Sequence, residues 1–201
     1  MTARGPYAKG EAKRAEVIDV ALELFSRKGY DRTSFREVAR LAGLSQAGLL
    51  HHFRTKEELF IEVLRRRDER NTRFYDQAVD DNVSIEGLTE IIKHNAGEPG
   101  LVRLYVAMSA ESTDAASPAR QFFVNRYGML RANIAADIRR KQESGELPDS
   151  LDPQSAASLV IAAADGLQLQ WLLDPDQVDM GAMLEQLTSL LRGVEASSRR
   201  R

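Results

Sequence analysis

The sequence predicts an all-α chain, with an N-terminal three-helix domain followed by a C-terminal antiparallel helical bundle. Three observations lead there. Apolar residues recur at helical spacing along most of the 201 residues, and no stretch alternates polar and apolar residues as a half-buried strand would. Helix-start signals stand at Ser34, Ser45 and Thr55, close enough together to mark short consecutive helices. Beyond residue 80, Pro, Gly, Asp or Ser sets off each periodic segment from the next. At 43% hydrophobic and 29% charged, the composition is that of an ordinary globular protein.

The first helix is expected over residues 11–28, where Val17, Val20, Ala21, Leu24 and Phe25 form one stripe and Gly29 supplies a stop. Tyr30 then either packs back on this helix or lies over a phosphate, with packing the favoured reading. Residues 1–10 read as a flexible basic arm. They lack the apolar segment of a secretory signal, so a cytoplasmic location is expected.

Ser34 with Glu37 three residues on forms a capping box, which starts the second helix. Phe35, Val38, Ala39 and Ala42 give it an apolar face, and Gly43 can take the left-handed conformation that ends a helix. Leu44 plugs the turn. Ser45 caps a third helix over residues 46–53, and Thr55 with Glu58 opens a fourth. Two short helices joined by a glycine turn of about three to four residues make a helix-turn-helix.

The second helix of such a pair enters a DNA major groove. Here it offers Gln46, which can pair bidentately with an adenine edge, beside the small residues Ala47 and Gly48. Arg36, Lys56, His51 and His52 are of types that bind guanine edges or phosphate. Caps and glycine turns also occur in helical proteins that never meet DNA, and His51-His52 read equally as a surface pair.

Residues 15–60 carry the runs A-x-x-L-F-x-x-x-G-Y, T-S-x-x-x-V-A-x-x-A-G-L-S and H-F-x-x-K-E-E-L. These resemble the N-terminal domain of the tetracycline-repressor (TetR) family of bacterial transcription regulators. The resemblance implies that Arg36, Gln46, Ala47 and Gly48 face bases and that Ser34, His52 and Lys56 hold phosphates. Ser45, the cap of the reading helix, and His51 are further DNA-contact candidates. One departure stands out: the family often has a phosphate-binding tyrosine where this chain has Leu50, so either affinity falls or His51 compensates. Arg4, Lys9, Lys13 and Arg14 either follow the DNA backbone or minor groove or stay in solvent.

Charge is distributed to suit this. The chain has a net charge of −2, yet residues 1–70 hold 15 Lys and Arg against 11 Asp and Glu. Phosphate contact requires positive charge only locally. With no cysteine and three scattered histidines (His51, His52, His94), no structural metal and no cofactor are expected.

A long fourth helix over 56–79 spans about 36 Å at about 1.5 Å per residue. Leu59, Phe60, Val63 and Leu64 face the head, Arg65-Arg66-Arg67 read as a solvated face, and Phe74 and Tyr75 enter the second domain. Domain limits follow at 1–55 for the helix-turn-helix head and 56–201 for ligand binding and dimerisation. Five further helices are expected over 84–95, 100–112, 118–145, 153–173 and 180–196; 101–110 is apolar nearly all round and should be buried.

The last two helices are too apolar for one copy to cover. Leu159, Ala163 and Leu167 on one, with Met183, Leu184, Leu187 and Leu191 on the other, are expected to pair with a second copy of the chain. A two-fold axis would set two heads on successive grooves about 34–36 Å apart. Both helices packing within one chain is the alternative; a membrane span is disfavoured, since Asp165, Gln168 and Gln170 interrupt the run. In the TetR family this region dimerises.

Family members also hold a ligand cavity in this half. Residue types that suit one are Phe74, His94, Tyr105, Met108 and Phe122, then Arg126, Tyr127, Gln168 and Trp171. Plain core is the competing reading for each. The resulting expectation is a homodimeric repressor, released from double-stranded operator DNA by a small-molecule effector. A DNA-binding regulator without a ligand is the alternative. An enzyme would have to rest on His94 with Glu90 or Glu98, and no nucleophile elbow, phosphate loop or metal set accompanies them.

Overall fold

The computed structural model describes residues 6–28, 32–76 and 84–193, with the backbone alone for 6, 7 and 70–76. The described residues hold nine α-helices and no strand: α1 (Pro6–Lys28), α2 (Phe35–Leu41), α3 (Gln46–His52), α4 (Lys56–Asp76), α5 (Ile85–Asn95), α6 (Pro99–Glu111), α7 (Arg120–Glu143), α8 (Pro153–Leu173) and α9 (Met180–Arg192). Gly29, Tyr30, Val79, Val194, the arm residue Arg4 and the Arg199–Arg201 tail lie outside the described residues, as do the side chains of Phe74 and Tyr75.

Packing divides the chain into two compact units, 1–73 with 98–120 and 74–97 with 121–201. In the first, α6 lies on α1, and α1 and α4 meet through the edge-to-face pair Phe25–Phe60, 4.6 Å between centroids. Gly100 makes the α1–α6 approach possible, because a Cβ there would fall 1.9 Å from the Phe25 carbonyl oxygen. Leu101, Val102, Leu104 and Met108 of α6 are buried, as the apolar run 101–110 predicts.

Three expectations are corrected here. Helix α1 starts at Pro6, so the tail end of the supposed flexible arm is helical; proline's fixed φ suits a first helical turn. Lys13 pairs with Glu16 at 3.0 Å, and Arg14 sits over the Phe53 ring at 4.7 Å while reaching Glu62 at 3.2 Å. Arg14 is thus part of the packing of α1 on α4. Nor do the three arginines of α4 form one solvated face. Arg65 turns to Glu62, Arg66 grips Asp19 of α1 at 3.0 and 3.2 Å, and Arg67, only 3% exposed, lies over the Tyr105 ring of α6. The predicted helix 118–145 spans Arg120–Glu143 instead, after a turn in which Asp114 accepts the Ala116 N–H at 2.9 Å.

In the second unit α5, α7, α8 and α9 surround one core that includes Ile85, Ile92, Ile134, Ile138, Val160 and Leu184. Asp137 of α7, itself buried, accepts the backbone N–H of Ile85 at 3.1 Å and so caps α5 from a different helix. Gln142 donates to the carbonyls of Pro148 and Leu151, both at 2.9 Å, and pins the connection from α7 to α8.

A four-membered charge ring closes the end of this bundle: Lys141–Glu86 2.8 Å, Arg192–Glu146 2.6 Å, with cross-contacts Lys141–Glu146 3.3 Å and Arg192–Glu86 3.4 Å. The hydrogen bond from Arg192 holds the Glu146 carboxyl below its ordinary range; burial opposes this, and Lys141 adds to the lowering. A carboxyl with a lowered folded pKa stabilises the fold above its unfolded pKa, and this is lost as pH falls through the folded value. The melting temperature of Glu146→Gln is therefore expected to lie below wild type at neutral pH and to converge with it below about pH 4. Parallel curves across that range would remove the contact's contribution.

Candidate nucleic-acid interface

The helix-turn-helix is set by local chemistry. Ser34 caps α2 by accepting the Glu37 N–H at 3.1 Å, and Ser45 caps α3 by accepting that of Gly48 at 3.0 Å. Gly43 adopts φ +67°, and the Leu44 N–H returns to the Ala39 carbonyl at 2.8 Å, which closes the end of α2. The two glutamates of the capping boxes do not reach their own caps' amides as the pattern suggests. Glu37 takes Lys28 of α1 at 2.6 Å, and Glu58 accepts the Arg54 N–H at 2.8 Å, one residue ahead of its cap Thr55. Glu37 thereby ties α2 to α1, and Glu58 ties the start of α4 to the connection before it.

Leu49 and Phe53 anchor α3 in the core with no exposure. The opposite face presents Gln46, Ala47, Leu50 and His51 to solvent. Alongside it lies an open cleft of about 680 Å³ between α2 and α3, lined by Ser34, Arg36, Glu37, Arg40, Ser45 and Gln46 among others. Arg36 and Arg40 are exposed, so two guanidinium groups and three neutral polar side chains share this concave surface with one carboxylate, which is neutralised by Lys28. Arg40 was not singled out from the sequence; its place one turn beyond Arg36 on α2 is the signal that would have found it.

The remaining predicted contacts stand nearby. His52 is half-buried with its ring 5.7 Å from that of His51, and half-buried Lys56 holds its ammonium 5.0 Å from the Phe60 centroid. Gly48 is half-buried over the turn, where a Cβ would meet Ser45 Oγ at 3.3 Å and Leu44 at 3.7 Å. Its missing side chain serves the fit of α3 on the turn.

The family profile described as bacterial regulatory proteins of the tetR family matches residues 17–63, and that described as the C-terminal part of BetI-type transcriptional repressors matches 86–194, more than half the chain. The chain belongs to the TetR family. It is a DNA-binding transcriptional regulator. Among TetR-family relatives, the HTH-type transcriptional regulator TtgR of Pseudomonas putida is 27% identical over 180 residues, 86% of each chain. A regulator from Saccharomonospora viridis, solved in complex with choline, shares the fold with a TM-score of 0.72 at 24% identity, covering 90% of this chain and 95% of that one. FadR of Bacillus subtilis, solved with stearoyl-CoA, has a TM-score of 0.68 at 18% identity over 88% and 96%.

The ligand candidates fall in both units. Tyr105 and Met108 are buried in the first. In the second, His94 is exposed at the end of α5, Phe122, Arg126, Tyr127 and Trp171 are half-buried, and Gln168 is buried with its Nε2 on the Ala164 carbonyl at 3.3 Å. Asp165 accepts the Tyr127 hydroxyl at 2.6 Å. Of the predicted interface residues, Leu159 is 65% exposed and Met183 41%, while Ala163, Leu167, Leu187 and Leu191 are half-buried against the unit's core. Leu184 is corrected: it is buried inside the bundle, one of the residues of α9 that fill the core with Met180.

Proposed function

We propose that α3 lies in the major groove of operator DNA, with Gln46 and Ala47 toward base edges, Arg36 toward a base or phosphate, and Ser34, His52 and Lys56 on phosphates. The observation that carries this reading is the exposed face of α3 beside the cleft that holds Arg36 and Arg40. Positive charge concentrated there attracts a polyanion, and an amide side chain at the start of the helix reads sequence. The protein acts in the cytoplasm as a repressor. Arg36→Ala is expected to weaken binding to operator about tenfold or more at one stated salt concentration, as loss of a base or charge-assisted contact does. Fluorescence anisotropy against random duplex is the test; equal affinity of wild type for both would overturn the reading.

The working form is a homodimer joined through α8 and α9. Leu159, Leu169 and Leu173 of α8 and Met183 and Leu190 of α9 are large exposed apolar side chains on two helices that pack together, and apolar surface gathered on neighbouring elements marks an interaction site. Sedimentation at micromolar concentration would reject it by finding only monomer. A small molecule held by the second unit, residues 74–97 and 121–201, releases the protein from DNA; relatives solved with choline and with stearoyl-CoA support ligand control. Such release needs the ligand to prefer the non-binding conformer, and a coupling of about 1–3 kcal/mol suffices.

A further inference from the structure

We infer that Leu50 reads the 5-methyl group of a pyrimidine, supplied by thymine, in the major groove of the operator, so that one position of the site is recognised by an apolar contact. This rests on the reading of α3 as the DNA-contacting helix. Leu50 is 45% exposed, whereas its neighbour Leu49 and Phe53 three residues on are fully buried. The side chain therefore does not hold α3 in place. It shares the outward face with Gln46 one turn earlier and with Ala47, next to the cleft that carries Arg36 and Arg40.

An exposed leucine at that place has no donor or acceptor for a phosphate or a base edge. The apolar group that the major groove displays on its base-pair edges is the C5 methyl of thymine. Leu50 and Ala47 together form a small apolar spot on a surface otherwise built of polar and cationic groups. Surrounding charge brings the DNA in, and the spot then favours sequences that place a methyl beneath it. 5-Methylcytosine presents the same methyl, so the test has to separate the two bases.

The full-length protein is used to select a duplex from a random library, and each thymine of the winning sequence is replaced singly by deoxyuridine. Wild type is expected to bind about fourfold more weakly at one thymine per half-site, the effect of one methyl group withdrawn from burial. Leu50→Ala should show no such loss at that thymine and keep its response at the others; alanine at an exposed helical position favours folding, which circular dichroism would verify. With C·G at that position, methylating the cytosine should tighten binding by wild type and leave Leu50→Ala unchanged. If the deoxyuridine response of every thymine is the same in both proteins, Leu50 reads no methyl. If no sequence is enriched over random duplex, the DNA-contacting role of α3 fails first and Leu50 with it.

Discussion

Gly100→Ala is expected to destabilise the protein by about 3 kcal/mol or more. The new Cβ would lie 1.9 Å from the Phe25 carbonyl oxygen and 2.4 Å from that of Ser26. These are backbone atoms of a helix, so no rotamer change can clear the space, and α6 would have to lift away from α1. Leu101, Leu104 and Met108, all buried, would lose packing as it did. At an exposed helical site the same exchange would stabilise by up to about 1 kcal/mol through helix propensity, so the sign reports directly on the close approach. Urea unfolding decides it. A midpoint equal to or above that of wild type would mean that α1 and α6 do not meet at Gly100.

The second large effect is expected at Asp137. Replacement by Ala removes the acceptor of the Ile85 N–H at 3.1 Å and the partner of Arg140 at 3.0 Å, and leaves a buried amide at the start of α5 without its cap. A lost hydrogen bond to a charged group, with the desolvation of the stranded N–H, costs about 2–3 kcal/mol. Asp137→Asn retains an acceptor oxygen and should recover part of that loss. If both variants unfold at the same denaturant concentration as wild type, the side chain contributes nothing to the start of α5.

The parts of the fold that could be read from the sequence are those whose partners lie three or four residues apart. Ser34, Ser45 and Ser84 accept amides within their own first turns, as do Asp152 and Asp179, and Gly43 ends α2 in the conformation its type suggested. The motif and its exposed face followed from these. What stayed hidden depends on partners distant in the chain. Asp137 and Ile85 are 52 residues apart, and nothing near Arg67 tells that Tyr105 will lie under it. The same limit explains Leu184: a wide apolar stripe on α9 shows how much must be covered, while the division between the chain's own core, which takes Leu184, and solvent, which keeps Leu190, depends on where α8 and α5 lie.

The seating of α6 on α1 also bears on how such regulators can be recombined. The compact unit that contains the helix-turn-helix is discontinuous in sequence, 1–73 with 98–120, so the reading head is not a cassette that ends where its motif ends. A chimera cut after α4 would place a foreign α6 against this α1, and Gly100 would have to be met by a residue equally small. Under the proposed contact of α3 with DNA, exchange of specificity is therefore easier by substitution on the outer face of that helix, away from the α1–α6 packing, than by transplanting the N-terminal segment whole.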